Sequence, residues 1–333
     1  MGFSRVILGT KLAILCALIL GCVIGIMWWN THIQGTVSSG RLLREGTEKL
    51  INPLLACDVG DEKAFPELST LKTALQQFVD SEKKAHNVTT MSIYLRTLNR
   101  GRWVGVNVDE RYTPASLLKL GVMMAYLKSA EGNSPLLSQQ ITYNGSFDLN
   151  SVQTVKPKLL LTKGVSYTVE DLLFRGIAYS DNNAMQLLQQ HLTQDALNDV
   201  YKDLSMPIPS NADTLDFLSP RVYAIMFQVL YSATYLDKEM SERALEMLSG
   251  SEFTQGIPQG VPQGTRVAHK FGERSDADTP HNRELHDCGI IYYPQHPYLL
   301  CIMTKGDSFT TLLSTITRAS QLTYTQVQSL YTR

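Results

Sequence analysis

The chain has 333 residues, room for one large or two ordinary domains, and 44% of them are hydrophobic, which excludes disorder as the dominant state. Thirty Lys and Arg stand against 31 Asp and Glu, so no bulk field selects nucleic acid or any strongly charged partner.

Leu12 to Trp29 is a run of eighteen residues without a charge, preceded by Arg5 and Lys11. Such a run spans a bilayer at the margin, and the two cations put residues 1–11 in the cytoplasm and everything after Asn30 outside. A cleaved signal would have a shorter apolar region, and a core helix would not carry Trp28 and Trp29 at an interfacial position. An uncleaved single-pass transmembrane helix is therefore expected, with lipid attachment at Cys22 after Ile19-Leu20-Gly21 as the alternative. Residues 1–32 read as cytoplasmic tip and anchor, and 33–62 as a stalk with a short helix in the apolar patch Leu50 to Ala56.

Glu67 to about Lys84 carries Leu68, Leu71, Leu75, Phe78 and Val79 at helical spacing. Two strand-like runs, Thr89 to Leu98 and Arg102 to Val108, are joined by Asn99-Arg100-Gly101, which predicts a hairpin. From Ser116 to about Ser249 the periodicity is mostly helical, including Val169 to Phe174, Ala184 to His191 and Pro220 to Leu236. Strands return at Thr265 to Phe271, Asp287 to Tyr293 and Tyr298 to Met303, and Thr310 to Tyr331 reads as a closing amphipathic helix. Strands at both ends of the domain and helices between predict an α+β fold, an antiparallel sheet formed from both ends of the chain and flanked by helices, plus an inserted all-helical lobe. The domain would cover 63–333, with a sheet lobe of 63–113 and 255–333, a helical lobe of 114–254, and a site in the cleft between them.

Five cysteines occur without metal-type spacing. An exported domain permits a disulfide between Cys288 and Cys301, but reduced, buried thiols are the expectation for these and for Cys57.

Pro114-Ala115-Ser116-Leu117-Leu118-Lys119 opens a run that is apolar on nearly every side through Leu127, the mark of a buried helix. Pro114 suits a helix start, which puts Ser116 in the first turn with Lys119 on the same face. Desolvation lowers a lysine pKa and makes the neutral amine a proton acceptor for a neighbouring hydroxyl. Alone, Ser-x-x-Lys is a common string. Here it is followed by Tyr179-Ser180-Asp181-Asn182 between two helices, and by His269-Lys270-Phe271-Gly272 at the end of a strand-like run.

In that order the three motifs resemble the signature of class A β-lactamases and penicillin-binding proteins. The resemblance extends from about Glu67 to Arg333. It implies that Ser116 attacks a carbonyl, that Lys119 moves its proton, and that Ser180 passes a proton to the leaving nitrogen. Asn182 would hold a substrate amide and Lys270 a substrate carboxylate. The backbone N–H groups of Ser116 and of Glu273, after Gly272, would form the oxyanion hole. The implied ligand is a small-molecule β-lactam or a peptidoglycan stem peptide, acted on by a monomer without cofactor or metal. A third possibility is a sensor domain that acylates without turning over.

Two departures stand out. The resemblance calls for a deacylating glutamate in a loop between the second and third motifs. Glu170 lies before the second motif, the next glutamate is Glu239, and Asp203 and Asp213 do not match the position. Acylation should therefore survive while hydrolysis slows. Phe271 stands where a small hydroxyl residue is usual, which removes one substrate hydrogen bond and narrows the pocket. His281, His286 and His296 show no HExxH pattern and are read as ordinary loop or strand-end residues. No Gly-x-Ser-x-Gly elbow or phosphate-cradling glycine loop is present.

Overall fold

The computed structural model describes residues 43–44, 49–56, 68–209, 214–275 and 282–331. The anchor reading of 12–29, Cys57 and Asp213 fall outside the described residues.

A five-stranded sheet is built from β3 (Thr90–Thr97), β4 (Trp103–Val106), β7 (Val267–Arg274), β8 (Arg283–Ile291) and β9 (Tyr298–Gly306) in the order β4-β3-β9-β8-β7. Every neighbouring pair is antiparallel. Two of its strands precede the inserted segment 114–254 in sequence and three follow it, so the sheet draws on both ends of the domain.

Both faces of the sheet are covered, which is why its strands read as nearly continuous apolar runs. On one face Ile93, Leu95, Leu300 and Ile302 pack against α1 (Ser69–Lys84), through Leu71, Leu75 and Val79, and against α8 (Phe309–Tyr331), through Leu312 and Ile316. On the other face Tyr94, Leu299, Cys301 and Met303 join the larger core around α2 (Lys119–Glu131). Period-two alternation thus sends successive residues of β3 and β9 to opposite cores.

The five helices that follow α2 have explicit starts. Thr168 caps α3 (Val169–Ala178), Asp181 caps α4 (Asn182–Gln189), Thr193 caps α5 (Gln194–Asp203), Ser219 caps α6 (Pro220–Ser232) and Asp237 caps α7 (Lys238–Ser249). Each cap side chain accepts from an otherwise unpaired N–H of the first turn.

Several expectations need correction. The inserted segment is not all helical: β5 (Gln140–Thr142) and β6 (Ser166–Thr168) form a small antiparallel pair, and residues 143–165 between them are irregular apart from turns. Gly145 and Gly164, at φ 73° and 82°, supply the left-handed backbone that bounds this loop. No helix forms at Leu50 to Ala56. Instead Leu54–Ala56 is a strand, β2, paired with β1 (Leu43–Arg44). Leu50 and Ile51 are buried in the larger core, and their N–H groups donate to Glu242 at 3.1 and 3.0 Å. Cys288 and Cys301 are bonded as a disulfide rather than reduced. They are direct register partners on β8 and β9, a relationship fixed by strand pairing rather than by any local string. β8 begins at Arg283, before its apolar run, because Glu284, His286 and Asp287 are buried with partners.

Candidate active site

The expected first turn of α2 is a separate 3₁₀ turn, Ala115–Leu118, that leads into the helix. The preceding Pro114 fixes its entry, Ala115 sits at φ 48°, and Ser116 follows, half-buried. Leu117 is wholly buried, and its carbonyl accepts from the Tyr223 hydroxyl of α6 at 3.1 Å. Edge strand β7 runs hard against this turn. A Cβ added at Gly272 would meet the Pro114 carbonyl oxygen at 2.9 Å and Leu117 Cγ at 3.0 Å, so only glycine permits the approach.

Three side chains meet beside the turn. The Lys119 amine donates to the Ser180 carbonyl at 2.5 Å and lies 3.2 Å from Ser180 Oγ. From the other side the Lys270 amine donates to the same Oγ and to the Phe271 carbonyl, each at 2.9 Å. Ser180 is fully buried at φ 55°, one of seven non-glycine residues at positive φ among the described residues, with Ala115 another. Left-handed backbone costs of order 1 kcal/mol at such positions and persists only where the surroundings impose it.

Burial governs the charges. The Lys119 amine is held well below the usual lysine range, first by desolvation and then by the neighbouring Lys270, with Asp181 and Glu273 pulling the other way. Desolvation brings Lys270 down to about 7, against the opposing pull of Asp287 and Glu273. Two amines with a hydroxyl between them, one readily neutral and the other titrating near neutrality, form a ready proton path.

The second motif is locked by residues that the sequence reading missed. Asp181 Oδ1 accepts from Asn183 N, Ala184 N and Asn150 Nδ2, and Asn150 Oδ1 accepts from Asn182 N at 2.8 Å. Gln153 Nε2 donates to the Ser180 carbonyl at 2.9 Å. Both Asn150 and Gln153 come from the irregular loop, where no periodicity marks them. Asn182 donates its own amide to the Leu149 carbonyl at 3.0 Å and so lies on the loop side of the group. Glu273, singled out for its backbone N–H, also uses its carboxylate: Oε1 accepts from Thr154 and Val155 N at 2.8 and 2.9 Å.

Below the Ser116 turn a buried polar group holds Thr113. Glu284 Oε2 accepts from Thr113 N and His286 Nε2 donates to Thr113 O, both at 3.0 Å. Thr304 N donates to His286 Nδ1 at 3.3 Å, which leaves Nε2 as the ring's donor to Thr113 O. The sequence reading treated His286 as ordinary, since a buried histidine in a strand gives no local signal.

Phe271 is buried in the core cluster beside α1 and α8, stacked on Phe253 with ring centroids 4.1 Å apart. Its ring lies 4.4 Å from the Lys270 amine and shares the wall of a cleft with Tyr179 and Thr254. The carboxylates weighed as a deacylating base lie elsewhere or outside the described residues. Glu170 pairs with Arg243 at 2.5 Å, and Asp203 is exposed at the end of α5. Asp216 bonds Lys305 and the Thr113 hydroxyl.

An antiparallel sheet with helices on both faces, and the Ser-x-x-Lys turn, Ser-Asp-Asn turn and Lys-x-Gly strand gathered at its edge, define the β-lactamase-like serine hydrolase fold. The chain belongs to the beta-lactamase enzyme family, whose model matches residues 70–327. Among solved structures it is similar to a beta-lactamase from Sphaerobacter thermophilus, at 21% identity and TM-score 0.66 over 78% of this chain and 98% of that one. A class A beta-lactamase from Mycobacterium abscessus matches at 21% identity and TM-score 0.64, over 77% and 99%. PBP-A matches at 18% identity and TM-score 0.63, over 78% and 97%. Identities this low carry the fold alone. No curated protein matches the chain.

Proposed function

We propose that this protein is a serine acyl-transfer enzyme that opens β-lactam or related amide bonds through an acyl-Ser116 intermediate and releases the acyl group slowly. The observation that carries this reading is the Ser180 hydroxyl set between the Lys119 and Lys270 amines beside the turn of Ser116. Neutral Lys119 takes the Ser116 proton as Oγ adds to the carbonyl carbon, and the backbone N–H groups of Ser116 and Glu273 stabilise the oxyanion. As the C–N bond breaks, Ser180 gives its proton to the leaving nitrogen and regains one from the Lys119 ammonium. Lys270 holds the substrate carboxylate and Asn182 a substrate amide.

Slow release is expected because no glutamate occurs between the second and third motifs until Glu239. Among the described residues the acids that act on this amine are Asp181 and Glu273, and both have an oxygen committed to backbone N–H groups. The same point favours, as a second reading, a penicillin-binding D,D-peptidase or transpeptidase acting on peptidoglycan stem peptides, or a sensor that acylates without turnover. One of the similar structures is an acyl-enzyme complex of a PBP-A variant with penicillin G, which recommends that ligand as the probe.

The test is an intact-mass time course with penicillin G on the full chain and on Ser116→Ala. A long-lived adduct on the wild type alone supports the proposal. Rapid loss of the adduct with product accumulation rejects slow release, and no adduct rejects the covalent mechanism. Parallel assays on D-Ala-D-Ala peptides separate the peptidase reading. The enzyme is further proposed to be a monomer that faces outward from the cell membrane on a single-pass helix at 12–29. Retention in membranes after alkaline carbonate washing would support that placement, and release of the intact chain would reject it.

A further inference from the structure

The irregular loop 143–165 carries a surface that the chemistry at Ser116 does not use. Of the six large hydrophobic side chains exposed among the described residues, Leu149, Val152, Leu159, Leu160 and Val165 lie in this one segment. Leu159 and Leu160 are 53% and 60% exposed, next to Leu161, which is buried in the larger core. The exposed pair therefore projects from an anchored position. Lys156, Lys158 and Lys163 flank it, and no acidic residue occurs between 149 and 165.

The loop is held in shape without any partner. Lys156 donates to the Asn150 and Ser151 carbonyls at 2.8 and 2.5 Å, and Thr162 N donates to the Tyr167 hydroxyl at 2.8 Å. Glu273 and Gln153 tie the loop to β7 and to Ser180. A surface already ordered loses little conformational entropy when it docks.

We propose that this loop docks on an anionic lipid surface, with Leu159 and Leu160 entering the headgroup–acyl boundary and Lys158 and Lys163 facing lipid phosphates. Apolar side chains bracketed by lysines suit an interface of this kind, since long cationic stems reach the headgroups while the leucines lie deeper. A protein partner fits less well, because residues 149–165, which carry all five exposed side chains, include no aromatic residue, methionine or arginine, the types that anchor protein interfaces; the loop's two aromatics, Tyr143 and Phe147, lie before them and pack on each other. Lys158 also pairs with Glu252 at 3.4 Å, so Lys163 carries the less compensated charge. Since the loop bonds Ser180 and Glu273, docking would set the cleft at a fixed height and orientation on the lipid surface.

The inference rests on the loop and not on the anchor at 12–29. Hydrogen exchange of the full chain would be compared in detergent, in phosphatidylcholine nanodiscs, and in nanodiscs with added phosphatidylglycerol. Slower exchange across 158–164 in the anionic discs supports the proposal. That protection should vanish in Leu159→Ser/Leu160→Ser and weaken roughly fivefold in Lys163→Gln, the scale of one lysine near an anionic surface. Equal exchange with and without lipid overturns it, whether or not residues 1–32 keep the chain in the disc, so the two readings fail separately. Protection already present in detergent would assign the patch to another part of this chain. Protection that tracks protein concentration but not lipid would assign it to a second copy, and either result rejects the lipid surface.

Discussion

Lys119 and Lys270 bring their amines to within 3.2 and 2.9 Å of one oxygen, the buried hydroxyl of Ser180. Two ammonium groups sharing one small acceptor in a desolvated pocket repel each other, and desolvation with this repulsion holds the Lys119 amine well below the usual lysine range, which favours its neutral form. Ser180 Oγ can then accept from Lys270 while its own proton points to the Lys119 lone pair.

Replacing that hydroxyl tests the path. Ser180→Ala should lower the rate of acylation by penicillin G about a hundredfold, the scale of one general acid–base step. The adduct should still form on Ser116, as read by quenched-flow mass spectrometry. An unchanged rate would remove Ser180 from the mechanism.

The pH dependence follows from Lys270, whose amine is brought to about 7 in the fold. The second-order acylation rate constant should fall above that value as the charge that receives a substrate carboxylate is lost, and Lys270→Met should abolish this alkaline limb. Stability moves the other way. The folded value lies below the unfolded lysine value of about 10.4, so between those limits the unfolded chain binds more protons, and this contribution to stability rises with pH. Urea midpoints at pH 6 and pH 9 should show a gain in the wild type that Lys270→Met lacks.

Gly272→Ala would force a methyl group to within 2.9 Å of the Pro114 carbonyl, and one of two backbone segments must shift. We expect acylation to fall at least about tenfold, since misplacing a nucleophile by less than an ångström is costly. The thermal midpoint should change by only a few degrees.

Glu284→Ala leaves the part-buried Thr113 N–H without its acceptor and should cost about 2 kcal/mol in urea unfolding. Glu284→Gln keeps an acceptor oxygen and should recover most of that loss. If both variants acylate at the wild-type rate, the network serves stability and does not position Ser116.

Reduction of the Cys288–Cys301 disulfide reopens a loop with a sequence separation of 13, and the unfolded chain gains entropy worth about 3 kcal/mol. A lower urea midpoint in dithiothreitol, absent from Cys288→Ala/Cys301→Ala, would be the signature.

Much of this was legible from local strings. Leu71, Leu75 and Val79 recur at helical spacing and form the buried face of α1. The Asn99-Arg100-Gly101 turn joins two strands that pair as a hairpin. The three motifs pointed to Ser116, Lys119, Ser180 and Lys270, and the structure gathers the Lys119, Ser180 and Lys270 side chains beside the turn of Ser116. What no string could supply was distance. Asn150, Gln153, Glu284 and His286 support the site from an irregular loop and a buried strand, and their neighbours in sequence do not announce it.

Residue types and their short-range spacing determined the elements, the apolar faces and the reactive set, since helix and strand periods are properties of the backbone itself. Which polar groups share a pocket, which cysteines face each other and how far an amine is desolvated were decided only by tertiary structure. Those outcomes depend on strand register and on the low dielectric of a closed core, and both arise from contacts between residues far apart in the chain.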